Sequence, residues 1–210
     1  MTTFLLIRHA TNDYVKKGRL AGRSPGVRLN AEGRAQAKSL AERLAAAQIQ
    51  QLYSSPLLRT METARAIQKR SPQLNIQRCS AIVEVQYGRW QGKPFSALTR
   101  RKLWRIVQSH PSRVQFPEGE TIRAVQNRAV DELERLRLLH PKQLVALVSH
   151  ADVIKLILAH YLGMHLDLYQ RIMIAPASIS SLELGSGRPT LLTLNDCAHL
   201  RPNLANRSGR

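Results

Sequence analysis

The chain has 210 residues, 43% hydrophobic and 22% charged, a composition that supports a packed core and excludes a disordered, collagen-like or repeat chain. With 32 Lys and Arg against 14 Asp and Glu, the formal charge is +18. Such a surface draws anions without choosing among phosphorylated metabolites, nucleic acid and acidic lipid.

The longest apolar stretches, Leu144 to Val148 and Leu156 to Ala159, fall far short of the roughly 20 residues of a membrane helix. The apolar run Phe4 to Ile7 stops at Arg8 with no basic segment before it, so no secretory signal is expected and the location read from it is cytoplasmic.

Thr3 to Ile7 reads as an opening strand, followed by a polar, Gly-rich loop. From about Asn30, Ala37, Leu40, Ala41, Leu44 and Ala45 keep the spacing of one helical face. Gln51 to Ser54 reads as a second strand, and Ser55 and Pro56 as N-cap and first-turn proline of a helix reaching about Arg70. Asn75 to Cys79 and Ile82 to Val85 read as short extended segments, and Gly88 to Gly119 as loop and helix. Thr121 to Leu139 returns to helical period, and Leu144 to Ser149 is the apolar run of a central buried strand. The next helix carries Val153, Leu156 and Ile157 on one face and ends at Gly163. Ile179 to Leu184 and Leu191 to Leu194 read as a hairpin. The expected fold class is α/β, a three-layer sandwich with a mostly parallel central sheet, helices on both faces and a C-terminal antiparallel hairpin. One domain is expected over residues 1–200, with 88–120 a variable segment and 201–210 a mobile basic tail.

Three strand-to-helix junctions hold residues suited to phosphate: Arg8-His9, Ser54-Ser55-Pro56 with Arg59, and Ser149-His150-Ala151-Asp152. In an open parallel sheet the carboxyl ends of the strands share one edge, and ligands bind there. Arg8 and Arg59 can grip a phosphate dianion in bidentate fashion. His9, as a neutral imidazole, can attack phosphorus in line. His150 can donate to the transferring oxygens, helped by backbone N–H groups of the helix that follows. Glu84 is the candidate proton donor to the leaving alkoxide, its carboxyl pushed up by a nearby dianion.

In order and spacing these residues resemble the histidine phosphatase superfamily, in the branch related to cofactor-dependent phosphoglycerate mutase. The resemblance spans roughly residues 3 to 195. It also rests on Gly18-Arg19, Gly22, Leu29-Asn30-Ala31-Glu32-Gly33, Thr63-Ala64, Tyr87-Gly88, Trp90-Gln91-Gly92 and Pro117-Glu118-Gly119-Glu120. It implies His9 as phosphorylated nucleophile, Glu84 as proton donor, and Arg8, Arg59 and His150 as the phosphate pocket. Asn12, Gly22, Tyr87 and Ala151 are expected on the substrate side. The chain departs from the usual pattern at Ala10 and Ala151, where Gly is common, and at Thr11, Asn12 and Val15 in the first loop.

The expected activity is metal-independent hydrolysis of a small phosphomonoester through a phosphohistidine. The alternatives are a phosphomutase using the same site and, behind it, a non-catalytic protein that binds an anion or nucleic acid. No cofactor, metal or membrane is expected, nucleic acid is disfavoured as a partner, and a homodimer stays open. His160 and His165 lack a third ligand at useful spacing. The Gly88 to Lys93 stretch lacks the spacing and hydroxyl of a nucleotide phosphate loop. Trp90, like Tyr87, reads as a packing residue lining the pocket. Cys79 and Cys197 read as buried thiols without a role.

Overall fold

A computed structural model of the chain describes residues 1–200; the basic tail expected at 201–210 lies outside them. One six-stranded sheet organises the molecule. Its strands are β1 (Thr2–Arg8), β2 (Gln51–Ser54), β3 (Ile76–Arg78), β4 (Leu144–Ser149), β5 (Ile179–Leu184) and β6 (Thr190–Asp196). They lie in the order β3-β2-β4-β1-β5-β6. β1 to β4 are parallel, and β5 and β6 form the antiparallel hairpin at one edge. The main helices are α2 (Ala31–Leu44), α3 (Leu58–Arg70), α6 (Ile122–Leu139) and α7 (Ala151–Tyr161), with short helices α1 (Asp13–Lys16), α4 (Phe95–Leu98) and α5 (Lys102–Ser109).

The alternation of side chains along a strand separates two cores. Leu5 and Ile7 of β1 meet Leu40 and Leu44 of α2 and Ala64 and Ile67 of α3. Phe4 and Leu6 point the other way, into a larger cluster with Leu133 of α6 and Ile154 of α7. Both faces of β1 and β4 are covered, which is why their sequences are apolar throughout rather than alternating. Two helix starts are capped by side chains: Asn30 accepts from the N–H of Gly33 at 2.8 Å, and Thr121 from that of Ala124 at 3.0 Å. Among the described residues, no helix is long and apolar enough to cross a membrane.

Several expectations need correction. Ser55 and Pro56 do not open α3, whose N-cap is Leu57 with no side-chain cap bond; the Ser55 hydroxyl is engaged with His150 instead. Ile82 to Val85 is not a strand: Ser80–Ile82 is a 3-10 turn, and the following residues run extended without a sheet partner. The loop after β1 carries the one-turn helix α1, capped by Asn12. Cys79 is buried, but Cys197 is only half-buried.

Two glycines set close backbone approaches. A Cβ on Gly33 would stand 1.9 Å from the carbonyl oxygen of Thr11, so only Gly lets α2 press on the loop that follows His9. Gly88 has φ +52°, and a Cβ there would meet the carbonyl of Pro117 at 1.9 Å, so the two motifs at 87–88 and 117–120 are stacked backbone to backbone. Gly→Ala within a helix ordinarily stabilises. At Gly33 the expected sign is reversed: Gly33→Ala lowers the unfolding free energy by about 1–3 kcal/mol, measured by urea denaturation, and a gain in stability would contradict the close contact.

Candidate active site

The parallel register decides what meets at the carboxyl edge of the sheet. Arg8 pairs with Ser149 across β1 and β4, which brings the next residue of each strand together: the rings of His9 and His150 stand 5.2 Å apart, edge to face. β2 ends on the same edge, Ser54 opposite Val148, and α3 departs from it carrying Arg59 on its first turn.

Arg59 is 1% exposed. Its Nε donates to Nε2 of His9 at 3.2 Å, and its Nη2 donates to the carbonyl of Gly22 at 2.7 Å and to Nδ1 of His150 at 3.2 Å. Because a guanidinium has no acceptor, these contacts define both tautomers. His9 donates from Nδ1 to the carbonyl of Ala10 at 2.8 Å and keeps its lone pair on Nε2. His150 accepts at Nδ1 and donates from Nε2 to the Ser55 hydroxyl at 2.8 Å. Burial, then the charge of Arg59, holds both imidazoles well below the ordinary histidine range, so both are neutral near pH 7.

A cavity of about 470 Å³ opens on this edge and is lined by Arg8, His9, Asn12, Gly22, Arg59, Glu84, Tyr87 and Ala151 among others. All the expected site residues are therefore together, except that His150 is fully buried behind Arg59 and is not part of the lining. The expected donation from His150 to a transferring oxygen is not what its contacts describe, since both ring nitrogens are already engaged. Arg8 donates from Nη1 to the carbonyl of Ile174 at 2.6 Å, which anchors the side chain and leaves its Nε buried without a partner. Nη1 of Arg59 and Nδ2 of Asn12 are likewise buried and unpartnered. Three donors on cavity-lining side chains thus lack acceptors, and buried donors in that condition are rare.

Glu84 faces this cluster, with Oε2 3.8 Å from Nδ1 of His150 and Oε1 accepting from the N–H of Val85 at 3.0 Å. Burial raises its pKa to about 7, with the charge of Asp152 adding to the rise and those of Arg59 and Arg8 opposing it. Asp152 accepts from the Tyr87 hydroxyl at 2.5 Å and pairs with Lys155 at 3.4 Å.

The backbone beneath Glu84 is pinned rather than paired in the sheet. Arg23 donates to the Glu84 carbonyl at 2.8 Å, and Arg128 to the Val83 carbonyl at 2.7 Å and to that of Ala81. Glu120 ties the two guanidiniums together, at 2.8 Å to Arg23 and 3.2 Å to Arg128, and also accepts from the N–H of Gln86 at 3.0 Å. Sequence reasoning marked Glu120 only as part of a motif and missed Arg23, Arg128 and the carboxylate of Asp152 as a neighbour of Glu84. Arg23 directly follows Gly22, and that adjacency was a usable signal; Arg128, within a long helix, gave none.

The model of the histidine phosphatase superfamily, branch 1, matches residues 4–197. The chain belongs to that superfamily. Across 203 residues this histidine phosphatase is 31% identical to phosphoserine phosphatase 1 of Hydrogenobacter thermophilus, with 95% of each chain covered. A mutant phosphoserine phosphatase of Entamoeba histolytica in complex with phosphoserine superposes with a TM-score of 0.87 over 96% of this chain and all of that one, at 23% identity, a likeness of fold. The mycobacterial glucosyl-3-phosphoglycerate phosphatase superposes with a TM-score of 0.84 at 25% identity, covering 92% of this chain and 98% of that one. The chain is an enzyme of the phosphatase class.

The raised carboxyl of Glu84 has a stability consequence. Between about pH 4.5 and about 7 the folded state keeps a proton on Glu84 that the unfolded chain releases, so this group's contribution to stability is lost as pH rises through that window. Glu84→Gln removes the effect. Relative to wild type, the variant is expected to gain on the order of 1–3 kcal/mol at pH 8 over its difference at pH 4. Urea denaturation at both pH values measures it, and an unchanged difference would contradict the burial of an ionisable carboxyl here.

Proposed function

We propose that this protein is a metal-independent phosphatase that hydrolyses a small phosphomonoester through a phosphohistidine on His9. The observation that carries the reading is the set of three buried, unpartnered donors, Arg8 Nε, Arg59 Nη1 and Asn12 Nδ2, on side chains lining the same cavity as His9. A phosphoryl group offers the oxygens that such donors need, and the two guanidiniums supply the cationic charge.

The chemistry follows from the tautomers. The Nε2 lone pair of His9 bonds to phosphorus as the bond from phosphorus to the ester oxygen breaks, and that oxygen takes the proton of Glu84. Glu84, now a carboxylate, accepts a proton from a water whose oxygen attacks the phosphohistidine. The N–P bond breaks, and inorganic phosphate leaves with His9 neutral and Glu84 protonated again. His150 acts from behind by fixing Nη2 of Arg59, and Gly22 does so through its carbonyl. Tyr87 orients Asp152, and Ala151 and Asp152 set the first turn of α7 beside the pocket. Residues 88–120 cover the substrate.

Two experiments test this. Hydrolysis of an aryl phosphate is expected to persist in excess EDTA and to fall below about 1% of wild type in His9→Ala; undiminished turnover in that variant would overturn the mechanism. Supplying 3-phosphoglycerate to the same preparation distinguishes release of phosphate, the expected result, from its return to a second oxygen. For the acid, Glu84→Ala is expected to cost about 10²- to 10⁴-fold on an alkyl phosphate and far less on p-nitrophenyl phosphate, whose leaving group needs no proton.

The pH profile gives an independent check. His9 is neutral and Glu84 protonated below about pH 7, so kcat/KM is expected to decline as pH rises through that value. Asp152→Asn removes a negative neighbour from Glu84 and is expected to move this decline to lower pH. A shift to higher pH would contradict the assigned acid.

A further inference from the structure

The phosphate-facing residues occupy only one end of the cavity. Much of the remaining wall is apolar: Trp90, Phe95, Trp104, Val107 and Phe116 from the covering segment, with Met173, beside the polar side chains of Arg19, Asp152 and Lys155. The aromatic members form one connected surface, with Trp90 stacked on Trp104 at 6.1 Å and 28°, Phe95 against Trp104 at 5.9 Å and Phe116 against Trp90 at 5.4 Å. The outer part of this surface stays accessible: Phe95 is 39% and Met173 72% exposed.

Each charged side chain beyond the phosphate end already has a partner within the protein. Lys155 pairs with Asp152 and donates to Gln170 at 3.2 Å, and Asp152 holds the Tyr87 hydroxyl. Arg19 donates from Nε to the carbonyl of Gly92 at 2.8 Å and lies over the Tyr14 ring. A phosphomonoester with a compact charged body would leave the aromatic wall uncovered. At about 470 Å³ the cavity falls in the size class that takes a drug-sized ligand.

We infer that the substrate is a phosphomonoester of an alcohol with a large apolar or aromatic body, which lies against Trp104 and Phe95 while the phosphoryl group faces His9. The inference rests on the phosphatase reading above and specifies its leaving group. Contact with the wall, distant from the breaking bond, orients the ester and is expressed in kcat/KM.

The test uses three alkyl esters, so that leaving-group acidity does not favour the aromatic one: 2-phenylethyl phosphate, ethyl phosphate and phosphoserine, each followed by phosphate release. The expected result is a kcat/KM for 2-phenylethyl phosphate at least about tenfold above both others. In Trp104→Ala the ratio of 2-phenylethyl to ethyl phosphate is expected to fall by about tenfold; Phe95→Ala, at a half-open position, serves where the first variant does not fold. Equal or better turnover of phosphoserine or ethyl phosphate by the wild type would overturn the inference and leave the phosphatase reading standing. So would a ratio that neither variant changes. No phosphate released from any ester would instead strike the phosphatase reading, and this inference with it.

Discussion

Arg59 is a cation buried to 1% exposure, and among the described residues no carboxylate stands within ion-pair distance of it. Removing a charge from water in this way is costly unless something returns the lost solvation. Here the return is partial: the Gly22 carbonyl and two neutral imidazoles accept from it, and one of its nitrogens remains without a partner. Arg8 repeats the pattern beside it, anchored at Nη1 and unsatisfied at Nε. Two buried guanidiniums with spare donors make a pocket whose most favourable occupant is an anion, and burial, reinforced by the same charges, keeps His9 and His150 from accepting protons. The free lone pair of His9 at neutral pH is thus a consequence first of burial and then of the neighbouring arginines.

Glu84 answers to the opposite pressure. A carboxyl so close to two cations would ordinarily ionise readily, yet burial and the charge of Asp152 outweigh them and hold it near neutrality. This balance is sensitive to position, and the segment that bears Glu84 has no sheet to hold it. Arg128 on the carbonyls of Ala81 and Val83 and Arg23 on that of Glu84, the two linked by Glu120, replace the missing ladder together with the Ser149 hydroxyl on the Ile82 carbonyl. Gly88, packed on Pro117, ties the same segment to the motif that carries Glu120. Glu84 and the segment 88–120 are therefore held together by direct contacts, which links the placement of this carboxyl to the aromatic wall of the cavity.

Much of this was legible in the chain itself. The strands at 2–8 and 144–149 are built on the apolar runs Phe4 to Ile7 and Leu144 to Val148, and the helices after Asn30 and Thr121 begin at side chains that cap them, so local chemistry determined these elements. The residue types at the three junctions, together with the motif order, also determined the family and which side chains gather at the site. Where reading failed, a tertiary partner had overridden a local preference: the Ser55 hydroxyl accepts from His150 instead of capping α3, and in the segment Ile82 to Val85 side chains of Ser149, Arg128 and Arg23 satisfy the carbonyls of residues 82–84 in place of a strand.

Composition and spacing could not determine the roles within the cluster. That His150 stands behind Arg59, that three donors are left unpartnered, and that Glu84 titrates near 7 all depend on the register of β1 against β4 and on the degree of burial at one sheet edge. Hydrogen-bond direction and desolvation are properties of distances between residues up to 166 positions apart in the chain. The sequence by itself determined which groups are present and which local elements carry them. Only the folded arrangement decided which nitrogen holds a lone pair, which carboxyl holds a proton, and what kind of wall the substrate meets.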